Sequence, residues 1–386
     1  MSSSPERTPV IIAARRTPIG RAGGALSAVT LEALAAPVIT ALLADTAIPP
    51  NAIDDVILGN AAGGGGNIAR LAALEADLPL ATPGMTVDRQ CGSGLAAIVT
   101  ACQLIAGGAG EVFLAGGVES VSRAPLRAHR PQNEGDALSF YTRARFAPDK
   151  VGDPEMGVAA ENVARAFGIT RARQDAFALE SHAKAVAAQA SGAFDAEIVP
   201  LADVTQDECP RASTSLEKLA SLKPKFAEDG TVTAGNACPL NDGASVVLVT
   251  SLARARAMKA PFALLFEDAA TAGVDPNILG IGPVASTKAL NKRRPDLAPE
   301  PADFIEFNEA FAAQVLASLD QLAIAPERVN RNGGALALGH PFGASGAILV
   351  TRLFHQMKAH PGTLGLAMIG IGGGMGITAA FRAIKP

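Results

Sequence analysis

The sequence predicts an α/β protein with two similar halves and a separate segment inserted between them. Apolar strands alternate with Ala- and Leu-rich helices up to about residue 118, and the alternation returns from about residue 245 to the C-terminus. Between these regions the alternation loosens. Hydrophobic residues make up 48% of the 386 residues and charged residues 18%, which favours a well-buried protein of two or three domains and excludes a largely disordered chain.

The first region is expected to contain strands and helices in turn. Residues 9–14 and 54–59 have the apolar pattern of strands, and residues 31–44 have the pattern of a helix. A short apolar stretch at 85–87 precedes Cys91-Gly92-Ser93-Gly94, which predicts a strand, a turn and a helix that starts at the cysteine. Residues 111–117 predict a buried strand that ends in glycines.

The middle region is expected to be less regular. Residues 123–149 are charged, contain proline and lack a clear period, so they are expected to form a loop. Residues 157–167 and 171–190 predict helices, and Thr170 can cap the second one.

The first and last regions resemble each other, which indicates an internal duplication. The runs Cys91-Gly92-Ser93-Gly94 and Gly343-Ala344-Ser345-Gly346 each open an Ala-rich helix, and each helix precedes an apolar strand that ends in glycines, at 114–117 and 366–374. Two such halves would place their helix N-termini side by side and form a pocket between them.

Cys91 is the candidate nucleophile. A thiol at a helix N-terminus lies at the positive end of the helix dipole, which favours the thiolate. Asn308 and His340 lie far downstream in polar clusters within apolar surroundings. A cysteine, a histidine and an asparagine distant in sequence are the components of an activated thiol nucleophile.

Composition restricts the compartment and the partners. The four cysteines have no metal-ligand spacing and are expected to be free thiols in a reducing cytoplasm, and no metal site is predicted. The net charge of −4 gives no indication of a nucleic-acid or membrane surface. The first seven residues are expected to be a short polar tail rather than a signal peptide, and no apolar run is expected to span a membrane.

Motifs spread over nearly the whole chain resemble those of the thiolase family, the acetyl-CoA C-acyltransferases. In chain order they are Arg16-Thr17-Pro18-Ile19-Gly20, Val87-Asp88-Arg89-Gln90-Cys91-Gly92-Ser93-Gly94, Gly116-Gly117-Val118-Glu119-Ser120, the stretch from Met156 to Asn162, Thr231-Val232-Thr233-Ala234-Gly235-Asn236, Asn308-Glu309-Ala310-Phe311, Gly339-His340-Pro341 and Gly372-Gly373-Gly374-Met375-Gly376.

The resemblance implies two mixed-sheet α/β halves in a five-layered core with an inserted loop domain. The expected divisions are 1–118 with 245–262 for the N-terminal half, 119–244 for the loop domain and 263–386 for the C-terminal half. It also implies acyl-CoA and free CoA as substrates, no permanently bound cofactor, and a homodimer or homotetramer. Acyl length and reaction direction are not specified by these motifs.

The resemblance also implies roles for individual residues. Cys91 takes the acyl group as a thioester, and His340, held near a water by Asn308, sits against Cys91, activates it and helps to bind the thioester oxygen. The backbone amides of Cys91 and Gly372 form an oxyanion hole for the acyl-enzyme. Arg211 is implied at the adenine end of CoA, and the remaining candidate contacts with CoA are Met156, Ala234, Ala237, Cys238 and Ser345.

One position departs from the family pattern. Where the family has a second cysteine, its acid/base for C2 deprotonation, this chain has Gly370. Three accounts remain open. The chain is a natural enzyme whose chemistry needs no C2 deprotonation, such as decarboxylative condensation or other acyl transfer, or it is an engineered Cys-to-Gly variant. In the third account another group supplies the proton transfer, and Cys238 is the candidate thiol. A non-catalytic acyl-CoA-binding protein is a further alternative.

Overall fold

Two groups of strands join edge to edge into a ten-stranded sheet in the computed structural model, which describes residues 5–386. Most of the expected polar tail therefore lies outside the described residues. The sheet order is β10-β11-β12-β9-β1-β8-β5-β3-β4, with β2 paired to β8, and β6 and β7 form a separate hairpin. The strands are β1 (Pro9–Arg16), β2 (Gly20–Arg21), β3 (Asp55–Gly59), β4 (Gly84–Val87), β5 (Val112–Ser120), β6 (Arg127–His129), β7 (Ser139–Tyr141), β8 (Asn241–Ser251), β9 (Ala263–Gly273), β10 (Phe304–Phe307), β11 (Leu364–Ile371) and β12 (Met375–Ile384).

The two groups of strands have the same pattern. In the first, β3 is parallel to β5, β5 is antiparallel to β8, and β8 is antiparallel to β1. In the second, β10 is parallel to β11, β11 is antiparallel to β12, and β12 is antiparallel to β9. A short antiparallel pairing of β1 with β9 joins them. The predicted mixed-sheet α/β fold is confirmed, and the repeated topology agrees with the internal duplication.

Helices divide this fold into five layers. α3 and α11 pack on each other and on strands of both groups, with α1 and α2 on the outer face of the first group and α8 and α9 on that of the second. The helices are α1 (Leu31–Thr46), α2 (Ile68–Glu75), α3 (Ser93–Gly107), α4 (Met156–Ala166), α5 (Arg171–Ala190), α6 (Leu216–Ala220), α7 (Leu252–Ala257), α8 (Gly282–Arg293), α9 (Ala312–Leu322), α10 (Ala335–Leu338) and α11 (Phe342–Met357).

Glycines let the two central helices touch at their N-terminal ends. A Cβ atom on Gly94 of α3 would lie 2.6 Å from the carbonyl oxygen of Gly343 in α11, and a Cβ on Gly346 would lie 2.5 Å from the nitrogen of Leu95. Both distances are too short for any side chain. The helix N-termini therefore lie side by side, as the duplication predicted.

Three details differ from the sequence prediction. α3 begins at Ser93, so Cys91 precedes the helix instead of starting it. The expected loop at 123–149 contains the short hairpin of β6 and β7. The window Gln90–Gly107 is long and apolar enough to cross a membrane by length and composition, contrary to expectation, but it is mostly buried inside the protein. It is apolar because α3 contacts both groups of strands.

The inserted segment is fastened to β1 by a buried arginine. The guanidinium of Arg16 donates to Asp207 at 2.7 Å and to Glu197 at 2.8 Å, and all three side chains are buried. Within the segment α5 has the expected bounds, and the Thr170 side chain accepts a hydrogen bond from the Arg173 N–H, so the predicted cap is present.

Candidate active site

A cavity of about 810 Å³ lies where the ends of both central helices meet the inserted segment. The nucleophile candidate Cys91, the base candidate His340 and the amide candidate Gly372 all line it, and so does Gly370. Five of the six candidate CoA contacts line it as well: Met156, Arg211, Ala234, Ala237 and Cys238. Candidates as far apart in the sequence as Cys91 and Gly372 therefore share one cavity.

A tight turn between β4 and α3 presents Cys91 to the cavity. Gln90 has φ +46°, a left-handed conformation that is uncommon for a residue with a side chain. The turn is held because the Gln90 N–H donates to the Asp88 carboxylate at 2.9 Å and the Ser93 hydroxyl donates to the Gln90 carbonyl at 2.6 Å. A strained residue directly before the nucleophile fixes the direction of its side chain.

The surroundings of Cys91 favour the neutral thiol. Burial raises the pKa of Cys91 to about 12, and the carboxylates of Glu119 and Asp88 shift it in the same direction. The backbone N–H groups of Gly372 and of Cys91 itself bond to the sulfur and oppose this shift without outweighing it. Desolvation therefore outweighs the preference for thiolate that a helix N-terminus gives, and the helix itself begins two residues later.

His340 is held rigidly in a buried position. It follows Gly339, whose φ of +112° favours glycine, and its N–H donates to the Asn241 side chain at 2.9 Å. Burial lowers the pKa of His340 to about 4, so the imidazole is neutral near pH 7. A neutral imidazole can accept a proton from a thiol.

Asn308 and Ser345 lie behind His340 rather than in the main cavity. The Asn308 amide nitrogen is 3.5 Å from Nε2 of His340, and the Ser345 hydroxyl is 2.6 Å from Nδ1. Both residues line a second, small cavity of about 20 Å³ together with Glu306 and Arg352. Ser345, expected at the CoA site, thus contacts the histidine instead, because its place in the first turn of α11 turns the hydroxyl toward the imidazole.

The two glycines at the end of β11 differ in the space around them. A Cβ on Gly372 would lie 3.0 Å from the Phe146 ring, so this position is closely covered. A Cβ on Gly370 would meet nothing nearer than 3.5 Å and would need no left-handed backbone. A side chain is therefore sterically possible at Gly370 and crowded at Gly372.

Cys238 places a second thiol on the wall of this cavity. Burial raises its pKa, and the charge of an ionised Cys91 raises it further, so the two sulfurs interact. The Cys238 N–H donates to the Ala310 carbonyl at 3.0 Å, which fixes the backbone at this position.

Basic side chains lie at the exposed end of the cavity. Arg211 and Lys225 line it and are both exposed. The Arg211 guanidinium lies 3.1 Å from Nε2 of His182. Burial, with a smaller contribution from Arg211, lowers the pKa of His182 to about 4, so the imidazole is neutral beside the cation.

Two buried polar residues of this region were not singled out from the sequence. The Glu119 carboxylate accepts hydrogen bonds from the Asn60 side chain at 2.9 Å and from the Gly343 N–H at 2.9 Å, so it ties β5 to the start of α11. A lone acid in an apolar strand was the available signal. Gln314 lines the main cavity and had no comparable signal, because it lies in an ordinary helical pattern.

Across residues 5–386, no group of three or more His, Cys, Asp or Glu side chains is placed to hold a metal ion.

The fold and the cavity define an acyltransferase with a cysteine and a neutral histidine in one cavity. The chain belongs to the thiolase family: the thiolase N-terminal domain matches residues 9–253 and the thiolase C-terminal domain matches residues 260–383.

Full-length relatives agree with this assignment. The chain is 46% identical over 379 residues to a Staphylococcus haemolyticus protein provisionally named acetyl-CoA C-acetyltransferase VraB, covering 97% of this chain and 98% of that one. It is 46% identical over 385 residues to an acetyl-CoA acetyltransferase of Pseudomonas aeruginosa, covering 95% and 97%. The crystal structure of the Bacillus anthracis acetyl-CoA acetyltransferase superposes with a TM-score of 0.88 at 39% identity, covering 98% of this chain and 99% of that one. Thiolase-type acyl transfer between CoA thioesters is the activity that these similarities support.

Proposed function

We propose that this chain transfers acyl groups between CoA thioesters through a thioester on Cys91, and that Gly370 leaves it with little ordinary thiolysis. The observation that carries the proposal is the single cavity in which Cys91, the neutral His340 and the Gly372 N–H meet. Acetyl-CoA and 3-ketoacyl-CoA thioesters are the proposed substrates, and free CoA is the proposed co-substrate.

The hydrogen bonds around His340 favour the tautomer that a base requires. The Ser345 hydroxyl lies 3.2 Å from the Pro341 carbonyl, to which it donates, and 2.6 Å from Nδ1 of His340. A hydroxyl has one proton, so when it donates to Pro341 it accepts from Nδ1–H. Nε2 is then the unprotonated nitrogen and can accept the Cys91 proton.

Acyl transfer then proceeds in two half-reactions. His340 takes the Cys91 proton as Sγ attacks the thioester carbonyl, and the tetrahedral intermediate collapses with cleavage of the bond to the CoA sulfur. The proton passes from His340 to the departing CoA sulfur. The reverse steps deliver the acyl group to an acceptor, and the acyl-enzyme oxygen lies against the N–H groups of Cys91 and Gly372.

Gly370 restricts what the acceptor half-reaction can be. Glycine has no group that could remove a C2 proton or exchange one with free CoA, and general acid–base assistance contributes about 10²- to 10⁴-fold in rate. Transfer that needs no C2 deprotonation, such as decarboxylative condensation, is compatible with Cys91, His340 and Asn308 alone. A protein that binds acyl-CoA without turnover is the alternative from another class, and the experiment below separates the two.

CoA is proposed to enter past the basic end of the cavity. Arg211 and Lys225 are exposed there and could approach the phosphates or the adenine of CoA. Ala234, Ala237 and Cys238 line the path from this end toward Cys91, which suits the narrow pantetheine arm.

We also propose that the chain forms a dimer or a tetramer. The β6–β7 hairpin exposes apolar side chains: Leu126 is 90% exposed, Phe140 62% and Leu138 56%. Such a cluster is typical of a contact surface. Sedimentation equilibrium of the chain and of Phe140→Ser measures this: the proposal requires an oligomer in the parent, and a monomeric parent contradicts it.

The deciding experiment compares the parent with Gly370→Cys. Acylation of Cys91 by acetyl-CoA is followed by intact mass, and release of acetyl-CoA from acetoacetyl-CoA plus free CoA is followed in parallel. We expect acylation in both chains and a gain of about 100-fold or more in thiolysis for Gly370→Cys, because position 370 has room for the side chain.

Gly107→Cys is the matched control, since it adds a thiol at the open end of α3. The control should leave thiolysis unchanged. Fast thiolysis by the parent would contradict the role given to Gly370. If acetyl-CoA does not acylate Cys91 in the parent, the proposed function itself is contradicted. If Cys91 is acylated but no acceptor removes the acyl group, the result favours a protein that binds acyl-CoA without turnover.

A further inference from the structure

Gln314 is a buried amide without a hydrogen-bond partner. Its side chain is 3% exposed in α9, and neither Nε2 nor Oε1 has a partner among residues 5–386. Leaving a buried polar group unpaired is unfavourable, and such groups are rare in folded proteins. An unpaired amide on the wall of a substrate cavity is therefore a candidate ligand contact.

The surrounding helix does not share this property. Ser318 donates to the Gly280 carbonyl at 3.3 Å, Asp320 pairs with Arg173 at 2.9 Å, and the Gln321 amide donates to the Ala317 carbonyl at 3.2 Å. Gln314 is thus distinguished by its position rather than by a general lack of partners in α9.

Packing directs the Gln314 amide toward Gly370. A Cβ on Gly280 would lie 2.7 Å from Cγ and 2.9 Å from Cβ of Gln314, so the stem of the side chain is held against that backbone. Nε2 lies 3.5 Å from the Cβ position at Gly370, where glycine leaves space. The amide therefore borders the part of the cavity that a longer side chain at 370 would fill.

The cavity that Gln314 lines contains apolar residues beside its polar groups. Other elements contribute Met156, Ala160, Leu279 and Leu336 to the lining of the same cavity. A small number of polar groups among apolar lining residues commonly fixes the orientation and the identity of a ligand.

We propose that Gln314 determines specificity by hydrogen bonding to an oxygen on the acyl chain of the bound CoA thioester. An amide donates through Nε2 and accepts through Oε1, so it can bind a 3-oxo or a 3-hydroxy group. The cavity should prefer these acyl groups over an unsubstituted chain of the same length. This inference rests on the proposed function, because it requires that acyl-CoA occupies the cavity.

Binding of a matched pair of thioesters tests the inference. 3-Hydroxybutyryl-CoA and butyryl-CoA differ by one hydroxyl, and their dissociation constants are measured by calorimetry on a Cys91→Ala chain, which cannot be acylated at this position. We expect about 3- to 10-fold tighter binding of the hydroxylated thioester, the range of one hydrogen bond. When Gln314→Met is combined with Cys91→Ala, the preference for the hydroxylated thioester should disappear, because methionine keeps the length of the side chain and loses the amide.

Gln321→Met is the control, since Gln321 lies on the same helix and is exposed. It should retain the preference of the Cys91→Ala chain. If the Cys91→Ala chain with Gln314 intact binds the two thioesters equally, the inference is overturned. This outcome does not depend on whether the Gln314→Met variant folds. A preference that survives in Gln314→Met would also overturn it.

The failure of the proposed function has a different signature. If neither thioester binds, and acetyl-CoA does not acylate Cys91 in the parent, then both proposals fall together. If acetyl-CoA acylates Cys91 and the two thioesters bind equally, only the role of Gln314 is overturned.

Discussion

The Ser345 hydroxyl lies 2.6 Å from Nδ1 of His340. The serine occupies the first turn of α11, and the histidine comes just before that helix, so the helix start itself orients the imidazole. The contact directs Nδ1 toward Ser345 and leaves Nε2 toward Asn308. Loss of this orienting contact is expected to slow the step proposed for His340.

Ser345→Ala should lower the rate of Cys91 acylation about 10- to 100-fold, because the imidazole loses its orienting partner while the base itself remains. Stopped-flow acylation by acetyl-CoA measures this, together with the pH profile of the rate. Thr351→Val on the same helix is the control, since its hydroxyl contacts Ser245 at 2.8 Å rather than His340. An equal loss in both variants would mean that only helix stability is affected.

Cys91 should be a thiol throughout the neutral range. With the pKa of Cys91 raised to about 12 by burial, the thiolate fraction and the rate of alkylation by iodoacetamide should rise about tenfold per pH unit from pH 6 to pH 9. His340, with its pKa lowered to about 4, stays neutral over this range and should add no inflection. Peptide mass spectrometry assigns the modified cysteine. A plateau below pH 8 would instead indicate a preformed thiolate–imidazolium pair.

Cys238→Ser should leave acylation of Cys91 within about threefold of the parent. Desolvation raises the pKa of the Cys238 thiol, so it stays protonated and is a poor proton acceptor near neutral pH. Any residual thiolysis of acetoacetyl-CoA should likewise persist in Cys238→Ser, whereas Cys91→Ser should abolish it. Loss of residual thiolysis in Cys238→Ser alone would identify Cys238 as the group that replaces the missing cysteine.

The sequence was sufficient for the fold and for the cysteine, histidine and glycine that share the cavity. Apolar periodicity and the repeated helix starts depend on local spacing, so they are readable from one chain. The spacing could not show the raised pKa of Cys91, because desolvation depends on the packed protein. Spacing also could not show that Ser345 faces His340 rather than CoA.

Gln314 and Arg16 illustrate a second limit. Arg16 belongs to one of the motifs that resemble the family, but its partners Asp207 and Glu197 lie 191 and 181 positions away in the sequence. Gln314 is defined by the lack of a partner, which only a three-dimensional arrangement can reveal. Long-range polar pairing leaves no periodic trace in the sequence.

The adjacent residues Arg15 and Arg16 should differ strongly in their effect on stability. Arg16 is fully buried between Asp207 and Glu197, so Arg16→Met leaves two carboxylates buried without their cation and should lower the free energy of unfolding by about 3–5 kcal/mol. Arg15 pairs with Asp45 at 2.6 Å in a partly exposed position, so Arg15→Met should lower it by about 1 kcal/mol or less. Urea unfolding followed by circular dichroism compares the two variants with the parent. Because Arg16 joins β1 to the inserted segment, limited proteolysis of Arg16→Met should begin within residues 195–210. Similar unfolding midpoints for the two variants would show that the buried cluster adds nothing beyond an exposed pair.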